Sequence, residues 1–241
     1  MVSAGVDEIQ RYVGQHGLVI AMDGPAGSGK STVARRVAAI LGLRYLDTGA
    51  MYRALTWWLL GRRVDLADTA AVISRLSEPQ IVIGTDPAAP EISVDGQDVS
   101  GPIRTREVSN SVSTVAAIPQ VRQRLIAMQR DIIASATAAG EGIVAEGRDI
   151  GTVVAPDAPV KVYLTASADV RAERRSADLA ADPGATVDTT RREQARRDQR
   201  DAAQMEPAED AVEIDTSALG LDEVVRRVVE MARARSAVWH G

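Results

Sequence analysis

Short apolar runs alternate with longer stretches in which apolar residues recur every three or four positions. Leu18, Val19 and Ile20 form a β-branched run that ends at Asp23 and Gly24, the pattern of a strand buried on both faces. Val33, Val37, Ile40 and Leu41 then mark one helical face, and Gly42 is a suitable stop. Arg44-Tyr45-Leu46 predicts a second short strand. The next helix turns Met51, Leu55, Trp58 and Leu59 inward, with Thr48 placed to cap it. Ile143-Val144-Ala145, Val160–Leu164 and Ala211–Asp215 predict three further strands. A helix capped by Ser167 runs to about Ala181, and an amphipathic helix carrying Val225, Val228 and Val229 closes the chain.

This regular alternation is interrupted once. After Gly61–Asp68 and a short helix with Val72, Ile73 and Leu76, two strand-like runs appear, Gln80–Gly84 and Glu91–Val94. Pro87 and Pro90 separate them and Asp95-Gly96 supplies a turn, so a small antiparallel sheet is inserted from roughly Ile81 to Val99. Two helices follow, one with Val108, Val112 and Val115, the other starting at Pro119 and carrying Val121, Leu125, Met128 and Ile132. With the insert set aside, five strands alternate with helices. That predicts a three-layer α/β fold: a five-stranded parallel sheet with helices on both faces.

Residues 185–206 depart from all of this. They are highly charged, and Thr190-x-x-Glu193 has the capping-box pattern, so a helix is expected. Its turns are polar all round, which predicts a mobile helix kept out of any core. Eight arginines lie between Arg171 and Arg200: 171, 174, 175, 191, 192, 196, 197 and 200.

Composition narrows the chemistry. The 241 residues carry a net charge of −5, which argues against general nucleic-acid binding. There is no Cys, so disulfides, thiolate metal sites and thiol catalysis are excluded. His16 and His240 sit near the two ends and read as solvated. No apolar run approaches a membrane span, and residues 1–17, a polar lead-in, have no hydrophobic signal region; a soluble, cytoplasmic chain is expected. The 28 basic residues include Lys only at positions 30 and 161.

One of those two lysines stands in the most specific stretch of the chain. Gly24-Pro25-Ala26-Gly27-Ser28-Gly29-Lys30-Ser31-Thr32 follows the first strand and opens the first helix, the order a phosphate-binding loop requires. Its glycines let successive N–H groups turn inward around a phosphate, and the helix N-terminus favours the same anion. Lys30 would reach the β- and γ-phosphates, and the Ser31 hydroxyl would ligate Mg²⁺. Asp47-Thr48 and Glu146–Asp149 also fall at strand carboxyl ends, the rim where ligands bind in such sheets. That rim offers Lys30, Arg53 and Arg148 but no His or Cys. Phosphoryl transfer to a phosphate acceptor suits such a set: the acceptor is already largely ionised near neutral pH, so the difficulty is repulsion between polyanions. Glu146 could hold the waters of Mg²⁺ or, equally, pair with an arginine. The charged segment would close over the triphosphate and exclude water.

The pieces DGPAGSGKST (Asp23–Thr32), LDTGAMYRA (Leu46–Ala54), VSGPIRTREVSN (Val99–Asn110), EGRDIGTVVAPDAPVKVYL (Glu146–Leu164) and DAVEIDTS (Asp210–Ser217) resemble bacterial cytidylate kinases of the longer type. The resemblance runs from about Val19 to the last helix. It implies transfer of the ATP γ-phosphate to CMP or dCMP. It implies that Arg53 and Arg148 hold the acceptor phosphate, with Thr48 and Tyr52 in the same stretch, and that Ser113, Arg122 and Asp149 contact cytosine. Arg171 is expected on the ATP side. In the charged segment Arg197-Asp198-Gln199-Arg200-Asp201 fits the first five positions of the family's lid pattern, but its last Arg falls on Gln204 and the following Ser-Pro-Leu is missing. Arg197, Asp201 and Arg200 are therefore the expected ribose and phosphate contacts, Arg197 also acting in catalysis.

The implied division is a core at 17–47, an acceptor region at 48–138 with the insert at about 80–100, core again at 139–175, a lid at 176–206 and a closing strand and helix at 207–241. ATP and Mg²⁺ are the expected cofactors. The expected partners are small molecules only, with no nucleic acid and no membrane, and a monomer is expected. Two rivals stand beside this reading: a kinase of the same loop type for another small acceptor, and a nucleotide-dependent switch or RNA-binding regulator. A guanine switch would need an Asn-Lys-x-Asp motif, which Lys at 30 and 161 alone rules out.

Overall fold

Alternation along the strands decides the architecture. In the computed structural model, which describes residues 13–15, 17–178 and 186–238, strand β1 (Val19–Asp23) sends Ile20 and Met22 into one core and Val19 and Ala21 into the other, as a period of two requires. The first core lies against helices α1 (Lys30–Leu41) and α8 (Leu221–Val238). The second lies against α2 (Thr48–Gly61), α4 (Arg106–Ala116) and α5 (Pro119–Ala138), with the short α3 (Thr69–Ser74) and the insert beyond. Leu41, Leu46, Leu55 and Leu59 have no exposed surface, and each such side chain contributes roughly 2 kcal/mol of burial.

The main sheet has the order β2-β6-β1-β7-β8 and every pair in it is parallel. Its members are β1, β2 (Arg44–Asp47), β6 (Ile143–Glu146), β7 (Val160–Thr165) and β8 (Val212–Asp215). The insert is a three-stranded antiparallel sheet, β3 (Ile81–Ile83), β4 (Ile92–Val94) and β5 (Gln97–Asp98). Asp95 and Gly96, both at positive φ (53° and 79°), make the turn between the last two. Two-residue β5 is too short for an apolar pattern to announce. Asp95 also accepts from Trp58 Nε1 (2.9 Å) and the Gln80 N–H (2.9 Å), tying the insert to α2. On its other side the Tyr45 N–H of outermost strand β2 donates to Thr85 O (2.8 Å), and Arg35 Nε donates to Pro87 O (3.0 Å).

Several local expectations change. Asp47, not Thr48, caps α2, its carboxylate accepting from the Ala50 N–H (2.9 Å); a carboxylate at the N-cap also suits the helix dipole. The charged segment forms α7 (Val187–Asp201), capped by Thr186 rather than Thr190. Nor is α7 excluded from packing. Thr190, Gln194 and Asp201 are buried, and the helix lies along α6 (Ala168–Asp178) through the Arg171–Asp198 pair (2.6 Å). Paired charges let a polar helix dock where apolar periodicity would never have placed it. The segment after β6 closes into a short π-helical turn, Ile150–Val154. No helix among the described residues is long and apolar enough to cross a membrane. The expectations for residues 1–12, for His16 and His240 and for the end of α6 near Ala181 lie outside the described residues.

Candidate active site

The phosphate-loop sequence leads from β1 into α1. Gly24 has φ 141°, and a Cβ there would stand 2.1 Å from Leu164 O, so the loop leaves the sheet by a path only glycine permits. Gly27 has φ 79°, and a Cβ would stand 2.9 Å from both Arg171 O and Gln194 Nε2; α6 and α7 therefore roof the loop. Lys30, the first residue of α1, is buried and donates from Nζ to Pro25 O (2.8 Å). Its pKa is lowered by burial first and by the Arg148 charge next, against the pull of Glu146 and Asp23. An anion beside it would reverse that shift.

Sheet register sets the acidic end of the site. Asp47 on β2 pairs with Glu146 on β6, so the two carboxylates are neighbours. Glu146 accepts from Ser31 Oγ (3.0 Å) and from the Tyr45 hydroxyl, while its carbonyl accepts from Thr48 Oγ1 (2.7 Å). Ser31 and Tyr45, not an arginine, thus hold its carboxylate. Burial, then the charge of Asp47, raise its pKa, opposed by Lys30, Tyr45 and Ser31. A buried carboxylate with a serine hydroxyl beside it is a hard-oxygen donor pair. It fits a Mg²⁺ ion that takes its remaining oxygens from phosphates and water.

Opposite stand the arginines. Arg148 donates from Nη1 to Gly24 O (3.0 Å), and its Nε lies 3.6 Å from Asp201 Oδ2. Arg197 Nε approaches the same oxygen at 3.7 Å. Burial, then Arg148, bring the Arg197 pKa down to about 10. Arg53, half-buried on α2, donates from Nη1 to Ser109 Oγ (2.8 Å) and to Ile103 O (3.4 Å); burial, then Arg197 and Arg175, hold its pKa well below the usual value. These groups border a cleft of about 1300 Å³ whose charged lining is Lys30 and eight arginines against Asp47, Glu146 and Asp178. Guanidiniums that burial and mutual repulsion both disfavour, gathered around one cleft, suit a polyanion.

A second polar group lies beside the cleft. Arg122 on α5 is hydrogen-bonded to Asp149; burial disfavours its charge, but Asp149 outweighs this and keeps its pKa raised. Tyr52, pushed up to about 12 mainly by burial, senses both charges. Ser113 is buried on α4 with no hydrogen-bond partner for its hydroxyl. The chain order Arg148-Asp149 joins this group to the cleft.

The remaining expected residues sit elsewhere. Arg171 donates to Asp198 (2.6 Å) and Ala26 O (3.3 Å), behind the loop rather than on the cleft lining. Arg200 is exposed and does not line the cleft. Three residues escaped the sequence reading. Asp23 receives the N–H groups of Ile150 and Gly151 at 2.8 Å each and so fixes the Arg148–Asp149 segment against β1. Tyr45 holds Glu146 and Asp198 holds Arg171. Asp23 could have been suspected from its place at the strand end; the other two look like an ordinary strand residue and one more charge in a charged helix.

A family model for cytidylate kinase matches residues 20–234. The chain belongs to the cytidylate kinase family. Relatives of that name agree over nearly the whole length. The cytidylate kinase of Streptomyces coelicolor is 51% identical over 224 residues, 91% of this chain and 94% of that protein. The one from Corynebacterium diphtheriae is 46% identical over 229 residues, 92% and 98% of the two chains. A solved gluconokinase from Sinorhizobium meliloti superposes with a TM-score of 0.50 at 16% identity, covering 93% of this chain and 96% of its own; that likeness concerns the fold alone. For this cytidylate kinase family member, the chain is a phosphotransferase with ATP as the phosphate donor.

Proposed function

We propose that this protein transfers the γ-phosphate of ATP to CMP and dCMP, yielding CDP or dCDP and ADP. The observation that carries the reading is the imbalance of the cleft, in which Lys30, Arg53, Arg148 and Arg197 converge beside a phosphate loop. In this reading the loop amides of Gly24–Thr32 hold the triphosphate, and Lys30 swings from Pro25 O to the transferring group. Arg53 and Arg148 grip the acceptor phosphate, and Arg197 adds charge where the two phosphates meet. Arg171 supports the ATP side from behind the loop. Asp201 holds Arg148 and Arg197 together and reaches the ribose, Arg200 lies farther out on the same lid, and Thr48 and Tyr52 shape the acceptor side. Ser31 and Glu146 would hold Mg²⁺, which supplies charge neutralisation of the β- and γ-phosphates when bound. Ser113, Arg122 and Asp149 read the base: the carboxylate accepts from the cytosine amino group, and Ser and Arg donate to O2 and N3.

The deciding experiment is a panel of acceptors in an assay coupled to ADP release. CMP and dCMP should be the best acceptors, with UMP weaker and hydroxyl acceptors inert. A best rate with a hydroxylated metabolite, or none with CMP above the ATP-hydrolysis background, overturns the proposal. In the same assay Lys30→Ala should lower turnover at least about a hundredfold.

A further inference from the structure

Helix α7 is held from three sides. From α6 come Arg171 to Asp198 (2.6 Å), Asp169 to Arg191 (2.9 Å) and Arg171 O, which accepts from Gln194 Nε2 (3.3 Å), and at the cleft Arg148 meets Asp201, which also faces Arg197 of the same helix. The third hold is outside the cleft and comes from α4. Arg106 donates from both Nε (2.8 Å) and Nη2 (2.6 Å) to Glu193 Oε1, and Asn110 Nδ2 adds a longer contact (3.4 Å). One turn along from Arg106, Ser109 Oγ accepts from Arg175 of α6 (2.9 Å) as well as from Arg53 (2.8 Å). Residues 106, 109 and 110 share one face of α4, so a single helix edge clasps the α6–α7 pair.

Glu193 lies one turn before Arg197 on α7, so whatever fixes the first carries to the second. The pair is also partly shielded, with side chains 33% and 24% exposed, and a fork donating to one carboxylate oxygen has a defined direction that a lone ammonium lacks. We infer that Arg106 and Glu193 are positioning residues: their ion pair ties the α4 side of the cleft to α7 and sets where Arg197 stands. The inference deepens the proposed function, since the α4 side is the acceptor side only in that reading.

The test uses the full-length protein with Arg106→Ala, Glu193→Ala, the double variant and the exchange Arg106→Glu/Glu193→Arg. Two quantities are read: the rate of tryptic cleavage within 187–201 without nucleotide, and kcat separately from KM for both substrates. Each single variant should speed cleavage about three- to tenfold and lower kcat more than it raises the KM for ATP. The double variant should be no worse than either single, and the exchange, read by kcat because Glu193→Arg adds a tryptic site, should recover most of the lost kcat. Additive effects in the double variant, or an exchange no better than the singles, overturn the inference. Should the alanine variants fail to fold, Arg106→Lys and Glu193→Gln give the same comparison: Lys keeps the charge without the fork and should recover only part of the loss, and equal behaviour of Lys and Arg overturns the inference. Cleavage of the free protein does not involve the acceptor. A clasp that passes while CMP is not phosphorylated therefore refutes the substrate reading alone.

Discussion

Asp149 illustrates how one carboxylate can serve two purposes. It holds Arg122 by a hydrogen bond and, in the proposed function, accepts the amino group that distinguishes cytosine from uracil. Uracil would set a carbonyl oxygen against that carboxylate, leaving both acceptors unpaired. Asp149→Ala should therefore reduce the CMP-to-UMP ratio of kcat/KM by at least tenfold while leaving the KM for ATP within about twofold. Unchanged selectivity would remove Asp149 from base reading. Asp23 makes a different prediction. Burial pushes its pKa up from 3.8 to about 6, against the two N–H groups it receives. A carboxyl raised on folding binds protons more tightly in the folded chain, so its ionised form costs stability above pH 6 and the cost fades as pH falls through 6 towards 4. The full span is about 3 kcal/mol. Urea unfolding of the wild type and of Asp23→Asn should show the wild type gaining stability relative to the variant between about pH 7 and pH 5; parallel pH profiles would contradict the shift.

At the scale of elements, the phosphate loop and the helix above it behave as one unit. Gly27 faces α6 and α7 with no room for a side chain. Gly27→Ala should therefore loosen α7 as well as strain the loop: tryptic cleavage within 187–201 should rise along with a fall in turnover of roughly tenfold or more. A variant that lost activity with α7 as protected as before would show the strain to be confined to the loop. This junction also marks what could be read from residues alone. The five parallel strands, α1 with its Gly42 stop, and the insert between Ile81 and Val99 were all legible, because burial on sheet and helix faces writes itself as period 2 or 3.6. The docking of α7 was not. Its inward residues are Thr190, Gln194 and Asp201, and a polar residue satisfied by a distant partner looks the same in sequence as one satisfied by water. The site divides similarly. Lys30, Ser31, Glu146 and Arg148 announce themselves in the phosphate loop or around a strand end, whereas Asp23, Tyr45, Ser109 and Glu193 act through partners 56 to 128 residues away, separations that no local pattern encodes.

Taken as a whole, the molecule opposes its own net charge. The chain carries −5, yet the cleft gathers Lys30 and eight arginines. A negatively charged nucleotide is repelled by the average surface and drawn by this one concavity, which should hasten capture at low salt. kcat/KM for CMP should fall steadily as monovalent salt rises from about 20 to 300 mM, with kcat changing less, because the screening length shrinks to below the width of such a cleft. A salt-independent kcat/KM would mean that chemistry, not encounter, limits the reaction.

The bond from the Tyr45 N–H to Thr85 O has a bearing beyond nucleotides. Strand β2 ends the parallel sheet, and an uncovered last strand invites another copy to continue the ladder. The loop that joins β3 to β4 within the small antiparallel insert occupies that place. Removing the insert would therefore expose a templating edge, and a shortened descendant of this chain would have to guard its solubility there by a charge, a proline or a bulge before it could dispense with those twenty or so residues.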